Sequence, residues 1–263
     1  MSNDVLKGLR KLAPHLKKAK DDNLNEADTL LRIIKTFEDV LGYDGFSEIS
    51  REAKIKDKYV DLAIKVDGVT KFLVEVKAAG TVLRDRHIAQ AELYAAEGNI
   101  QWVLLTNGVA WTLYHLTFEQ GIEYTKAFSV DLSSDSIELC AEELALLDRK
   151  SVGRGALEDF WTRRKAVSPA SIATALFTTD VLAVLRREIR RREQILIDPE
   201  DLKTAIEKMF STDALAEIGK IRIRASHKSR AHASAEAAGG DDNDATASQS
   251  ATLEPDPEPP SKK

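Results

Sequence analysis

The chain has 263 residues, 43% of them hydrophobic and 31% charged, with a net charge of −5. That length holds one sizeable core with room for a smaller appended domain, and the charge excludes a strongly basic nucleic-acid coat. Much of the negative charge is local: from Ala225 onward four Lys/Arg face seven acids, −3 of the total −5. Any contact with nucleic acid must therefore come from local basic patches. A single cysteine, Cys140, excludes an internal disulfide and a cysteine-rich zinc site, and fits a reducing compartment. The basic N-terminus lacks the apolar run of a signal peptide, and no stretch is long and apolar enough to span a membrane. The expected location is the cytoplasm.

Residues 1–21 form a basic arm. Val5, Leu6, Leu9 and Leu12 predict a short amphipathic helix that stops near Pro14, followed by Lys17, Lys18 and Lys20. These lysines either touch phosphates or form a solvated face. A second helix is predicted from NEADT at 25–29 to Gly42. Asn25 suits its N-cap, Leu30, Leu31, Ile34, Phe37, Val40 and Leu41 form its apolar stripe, and Gly42 ends it. Glu26 in its first turn also suits the helix dipole; Glu38 reads as a solvated charge.

A strand over 47–56 precedes the most informative stretch, YVDLAIKVDGVTKFLVEVK at 59–77. It reads as two strands joined at Asp67-Gly68, with Asp61, Glu75 and Lys77 set among apolar positions. Such groups beside an apolar sheet are costly unless they have a use. Side chains alternate along a strand, so Val60, Leu62, Ile64 and Val66 share a face, as do Phe72, Val74 and Val76. Matching these faces pairs even with even numbers and places Asp61 with Glu75 and Lys77, opposite the buried side. A two-residue Asp-Gly turn would pair Val66 with Val69 and break that register. The pattern therefore predicts a three- or five-residue connection with Gly68 at positive φ.

Beyond Lys77, Ala78-Ala79-Gly80 permits a close backbone approach. A helix is predicted over 83–97, with Gln90 and Tyr94 one turn apart and His87 on that side. Gln90 and Tyr94 could equally form an ordinary helix edge. Apolar runs at 102–106 and 110–116 flank Asn107-Gly108, a hairpin signal, and a last strand falls within 123–131.

The order of elements predicts an α/β domain over 22–133 with a mixed central sheet flanked by helices. Only helices follow in 134–224, at 135–149, 154–166, 169–193 and 199–219. The third carries Arg186, Arg187, Arg190, Arg191 and Arg192, open to phosphates, to a partner protein or to solvent. The segment 225–263, rich in Ala, Ser, Gly, Asp, Glu and Pro, is expected to be disordered.

Two carboxylates, a backbone carbonyl and a lysine can together support metal-assisted phosphodiester hydrolysis. Asp61, Glu75 and the carbonyl of Val76 are oxygen donors suited to Mg²⁺, with Mn²⁺ as a substitute. Lys77 can orient water, assist its deprotonation or steady negative charge. The spacing of Asp61 from Glu75-Val76-Lys77 resembles the signature of the PD-(D/E)xK nuclease superfamily. More specifically, NEADT, LGY at 41–43, YVDLAI at 59–64, LVEVKA at 73–78, QAELYA at 90–95 and LLTNGVAWTLY at 104–114 resemble, in order, the N-terminal nuclease domain of type I restriction enzyme R subunits. The resemblance covers roughly 22–131 and implies a restriction-endonuclease-like fold acting on nucleic acid, with DNA the expected substrate. It adds Glu26 as a metal ligand and Gln90 and Tyr94 as residues arranging the site. Val60 stands where the superfamily name has proline. No GxxxxGK[ST] sequence occurs, so the ATP-driven motor of a full R subunit is missing. The alternative is a catalytically silent nucleic-acid-binding or regulatory module that keeps the fold.

Overall fold

In the computed structural model, residues 2–55, 58–119 and 121–225 are described. The expected disorder of the tail falls on residues that, from 226 on, lie outside them. Two compact units are present, with their boundary between Ala166 and Val167.

The first unit begins with α1 (Ser2–Asp21) and α2 (Glu26–Asp39). Helix α1 does not stop near Pro14. It runs through the proline because Leu9, Ala13, Leu16 and Ala19 bury one continuous face on both sides of it. That burial outweighs one lost backbone hydrogen bond. Helix α2 starts where the sequence sets it, with the Asn25 side chain accepting from the Asp28 N–H at 2.8 Å.

Six strands follow: β1 (Ile49–Ile55), β2 (Lys58–Val66), β3 (Val69–Val76), β4 (Trp102–Thr106), β5 (Ala110–Thr117) and β6 (Glu123–Asp131). They form one sheet in sequential order. All neighbours are antiparallel except β3 and β4, which are parallel. A parallel pair requires a crossover, and the chain between β3 and β4 supplies it. The crossover differs from the expected 83–97 helix. Residues 77–84 are irregular, a 3₁₀ turn spans Asp85–Ile88, and only Ala89–Gly98 is α-helical (α3).

The β2–β3 connection corrects the expected loop length. The turn has two residues, Asp67 (φ 52°) and Gly68 (φ 78°), and Val66 does pair with Val69. Two central residues at positive φ match the strand twist, as in a type I′ turn. A bulge then restores the register. Lys65 pairs with Thr70 but Ile64 pairs with Phe72, which leaves Lys71 as the extra residue. From there Leu62 faces Val74, even against even. Arg149 holds the turn through Asp67 at 3.1 Å and Glu48 at 2.8 Å.

A second correction concerns the faces of the sheet. Both are covered. Leu62, Ile64, Phe72, Val74 and Val76 pack with α1, α2 and the later helices, while Ala63, Leu73, Val103 and Leu105 pack under α3. The odd-numbered face of β2 and β3 is thus a second interior, not a solvent side.

The unit also extends past residue 133. Helices α4 (Ile137–Leu144), α5 (Arg149–Gly153) and α6 (Ala156–Ala166) add Cys140, Leu144, Val152 and Leu157 to the core beneath β2 and β3. The predicted 135–149 helix is broken by a 3₁₀ turn at Ala145–Leu147 and by Asp148, which caps α5.

The second unit is helical: α7 (Pro169–Leu176), α8 (Thr179–Glu193), α9 (Pro199–Glu207) and α10 (Thr212–Ile218). The two long helices predicted here are each split, one at Phe177-Thr178 and one before Ser211. Thr178 and Ser211 stand at N-cap positions of new helices. Phe177 is also buried in the small core of Ala173, Leu182 and Leu202. The sequence order is therefore α/β mixed sheet first, helices after. Among the described residues, no helix is long and apolar enough to cross a membrane.

Candidate active site

The site forms where β2 and β3 part. Their paired residues end at Leu62 and Val74. Beyond that point the Asp61 side chain replaces the backbone ladder: its Oδ2 accepts from the Val76 N–H at 2.7 Å. The N–H and C=O of a strand residue point to the same side, so the Val76 carbonyl also faces β2. On the other edge of β3, the Lys77 N–H donates to the Thr106 carbonyl at 2.9 Å. Glu75 lies beside Leu105 in the parallel pair and is only 6% exposed.

Lys77 joins the acids. Its Nζ donates to Glu75 Oε1 at 2.6 Å and lies 3.9 Å from Glu26 Oε2. Glu26 reaches this place through a backbone clasp. The Ala79 N–H donates to the Leu24 carbonyl at 3.1 Å, and Gly80 lies so close to Asn23 that an added Cβ would stand 2.1 Å from Oδ1. This is the close approach expected of Ala78-Ala79-Gly80. It places the start of α2 beside the end of β3.

The charges press on one another. Burial raises the Asp61 carboxyl above its usual range, against the pull of the Val76 N–H and Lys77. Burial likewise raises Glu75, with the Asp61 field adding to it and Lys77 opposing. For Lys77, burial alone would lower the ammonium pKa. The bond to Glu75 and the fields of Glu26 and Asp61 outweigh that and raise it. Lys77 is thus an ammonium donor in this arrangement, not a ready base.

Gln90 and Tyr94 lie on α3 over the same face. Gln90 Nε2 donates to Tyr94 Oη at 2.6 Å and reaches the Tyr59 carbonyl at 3.5 Å, two residues before Asp61. Tyr94 is buried with Ala63 and Leu73. The structure therefore gathers Glu26, Asp61, Glu75 and Lys77 directly, and sets Gln90 and Tyr94 at the margin of β2.

Two neighbours were not among the site residues expected from the sequence. Glu52 sits between the pairs Arg51–Leu62 and Ala53–Val60, opposite Asp61, at φ 43°. Its field raises Asp61 further. A break in strand pairing leaves no trace in hydrophobic alternation. His87, noted only as sharing a side with Gln90 and Tyr94, accepts the Arg84 N–H at Nδ1. Burial lowers its pKa, with Arg86 and Lys77 lowering it further.

The donor types fit a hard divalent cation: oxygen only, anionic, and partly desolvated. As the side chains stand, no group of three or more His, Cys, Asp or Glu among the described residues is arranged to hold a metal ion. Lys77 supplies the positive charge between Glu75 and Glu26.

Residues 32–131 match the family model of the type I restriction enzyme R protein N terminus. The matched segment runs through β1 to β6 and includes Asp61, Glu75, Lys77, Gln90 and Tyr94. Glu26 lies just before the matched segment. No curated protein matches the chain. Among solved structures, the type IIG restriction endonuclease BpuSI aligns at 17% identity and TM-score 0.35, over 67% of this chain and 23% of that one. A superposition at that score does not establish a shared fold.

Proposed function

We propose that the first unit is a divalent-cation-dependent DNA endonuclease of the restriction type, with a role in defence against foreign DNA. The observation that carries this reading is the meeting of Asp61, Glu75, Lys77 and Glu26 at the point where β2 and β3 part. Mg²⁺, or Mn²⁺ in its place, would be held by Asp61, Glu75, Glu26 and the Val76 carbonyl; when bound it withdraws charge from phosphoryl oxygens and lowers the pKa of water.

The chain's own residues do the rest. The Val76 N–H fixes the Asp61 carboxylate in one orientation. Burial makes both inner carboxylates costly as anions, so a cation is attracted to them. Lys77, whose ammonium lies beside Glu75, would steady the negative charge that develops on the phosphoryl oxygens. Gln90, tied to Tyr94 and to the strand carrying Asp61, sets the edge against which a DNA strand lies.

The short Lys77–Glu75 pair favours a second reading, a silent nucleic-acid-binding module in which the lysine permanently fills the cation's place. A cleavage panel separates the two. Purified protein is incubated with duplex, single-stranded and modified DNA and with RNA, with Mg²⁺, Mn²⁺ or a chelator. Endonuclease action predicts nicks or breaks in DNA that vanish with the chelator. Uncut substrates under every condition would decide for the silent module.

A further inference from the structure

Near the end of the second unit's described residues, the segment 220–224 alternates exposed and half-buried positions and is bridged to the rest of the unit at Arg224. The Arg224 N–H donates to the Phe177 carbonyl, and the Thr179 N–H donates to the Arg224 carbonyl, both at 2.9 Å. This short parallel bridge fixes the segment against the α7–α8 junction. Ile221 and Ile223 turn inward onto the small core of the unit. Lys220, Arg222 and Arg224 alternate with them along the segment, and all three are exposed. Together they line one cleft of about 60 Å³, floored by Ala173, Phe177 and Ile218.

No carboxylate lines this cleft. Among the described residues, none of the three cations has an ion pair, whereas Arg191 and Arg192 both pair with Glu188. Three like charges at alternate positions of one segment repel each other. A row of anionic groups would remove that repulsion, and the apolar floor would strengthen each contact. Alternate side chains on a strand stand roughly 6.6 Å apart, a spacing comparable with that of successive phosphates along a nucleic-acid strand.

We propose that Lys220, Arg222 and Arg224 form a phosphate-binding comb that holds the backbone of a nucleic-acid strand. The anion site stands on the geometry of the segment; the choice of nucleic acid as its ligand rests on the function proposed for the first unit. Contacts of this kind grip the backbone without reading sequence.

The test uses the full chain carrying Glu75→Gln, so that nothing is cut, and follows binding to a labelled DNA duplex across a salt series. Replacing Lys220, Arg222 and Arg224 with alanine is expected to weaken binding about tenfold or more. It should also flatten the log–log salt slope by about 2 to 3, since each phosphate contact contributes about 0.9. The charge-keeping pair Arg222→Lys/Arg224→Lys should retain most of the slope. An unchanged slope in the alanine variant overturns the proposal, as does an equal loss in the lysine variant, which would mark a folding effect. Titration with inorganic phosphate is the second arm. Phosphate that binds the wild type and not the alanine variant, with the DNA slope unchanged, would make this a free-phosphate site and overturn the nucleic-acid assignment. A flattened slope with no cleavage by the wild-type chain would sink the endonuclease and leave the comb standing; cleavage with an unchanged slope would do the reverse.

Discussion

His115 is a buried histidine on β5, stacked on Trp161 at 4.0 Å between ring centroids and edge-on to Trp102 at 4.8 Å. Its Nδ1 is buried without a hydrogen-bond partner among the described residues. Burial, then the charge of Lys165, lowers its pKa to about 4. The folded chain therefore keeps this ring neutral where the unfolded chain, with an ordinary pKa of about 6.5, takes up a proton. The resulting stability is present above about pH 6.5 and is lost as pH falls toward 4, on the order of 3 kcal/mol. Urea midpoints at about pH 7 and pH 5 should differ more for the wild type than for His115→Phe, which has no proton to gain. Equal pH dependence in the two would refute the assignment. The site carboxylates were legible at this same scale, because parity along two strands brings Asp61 to the side of Glu75 and Lys77. Glu52 was not legible, since its position depends on a local backbone irregularity.

The element that positions the site is the β2–β3 hairpin, and its geometry reconciles two demands the sequence set against each other. Asp67-Gly68 calls for a tight turn, while the apolar positions call for an even-to-even register. Lys71 satisfies both as an extra residue. Deleting Lys71 should therefore shift β3 against β2 and turn Glu75 away from Asp61. Loss of cleavage with a large drop in melting temperature is expected, and a wild-type melt with full cleavage would exclude this account of the register. Gly68→Ala is a gentler probe. At φ 78° a Cβ is strained by roughly 1 kcal/mol, so stability should fall by about that amount with cleavage intact. The clasp at Gly80 gives the opposite signature. Gly80→Val pushes on Asn23 and parts Glu26 from Lys77, so cleavage should fall several-fold with little change in thermal midpoint. The Ala-Ala-Gly run made a close approach legible, but not its partner, because tertiary pairing of 79 with 24 has no local signal. Pro14 is the converse case: a strong local stop signal was overridden by burial on both sides of it.

Across the whole molecule the two units differ in the size of their cores. The first buries side chains on both faces of a six-stranded sheet, while the second buries Ala173, Phe177, Leu182 and Leu202. Hydrogen exchange should accordingly be slowest in β3, β4 and β5 and distinctly faster in α7–α10. Equal protection in the two units would contradict that ranking. The α/β order and the change to helices alone were legible in hydrophobic periodicity. The extent of the first unit was not, because α4, α5 and α6 look like any amphipathic helices until their partner surface is known. The central claim is that Asp61 and Glu75 form the centre of a nuclease. Its most direct test is metal-dependent cleavage of supercoiled plasmid by the wild type beside Asp61→Asn and Glu75→Gln. The account predicts nicking or linearisation by the wild type with Mg²⁺ or Mn²⁺, and a loss of about a hundredfold or more in each variant with melting curves unchanged or shifted upward. Wild-type rates of cleavage in both variants would contradict it.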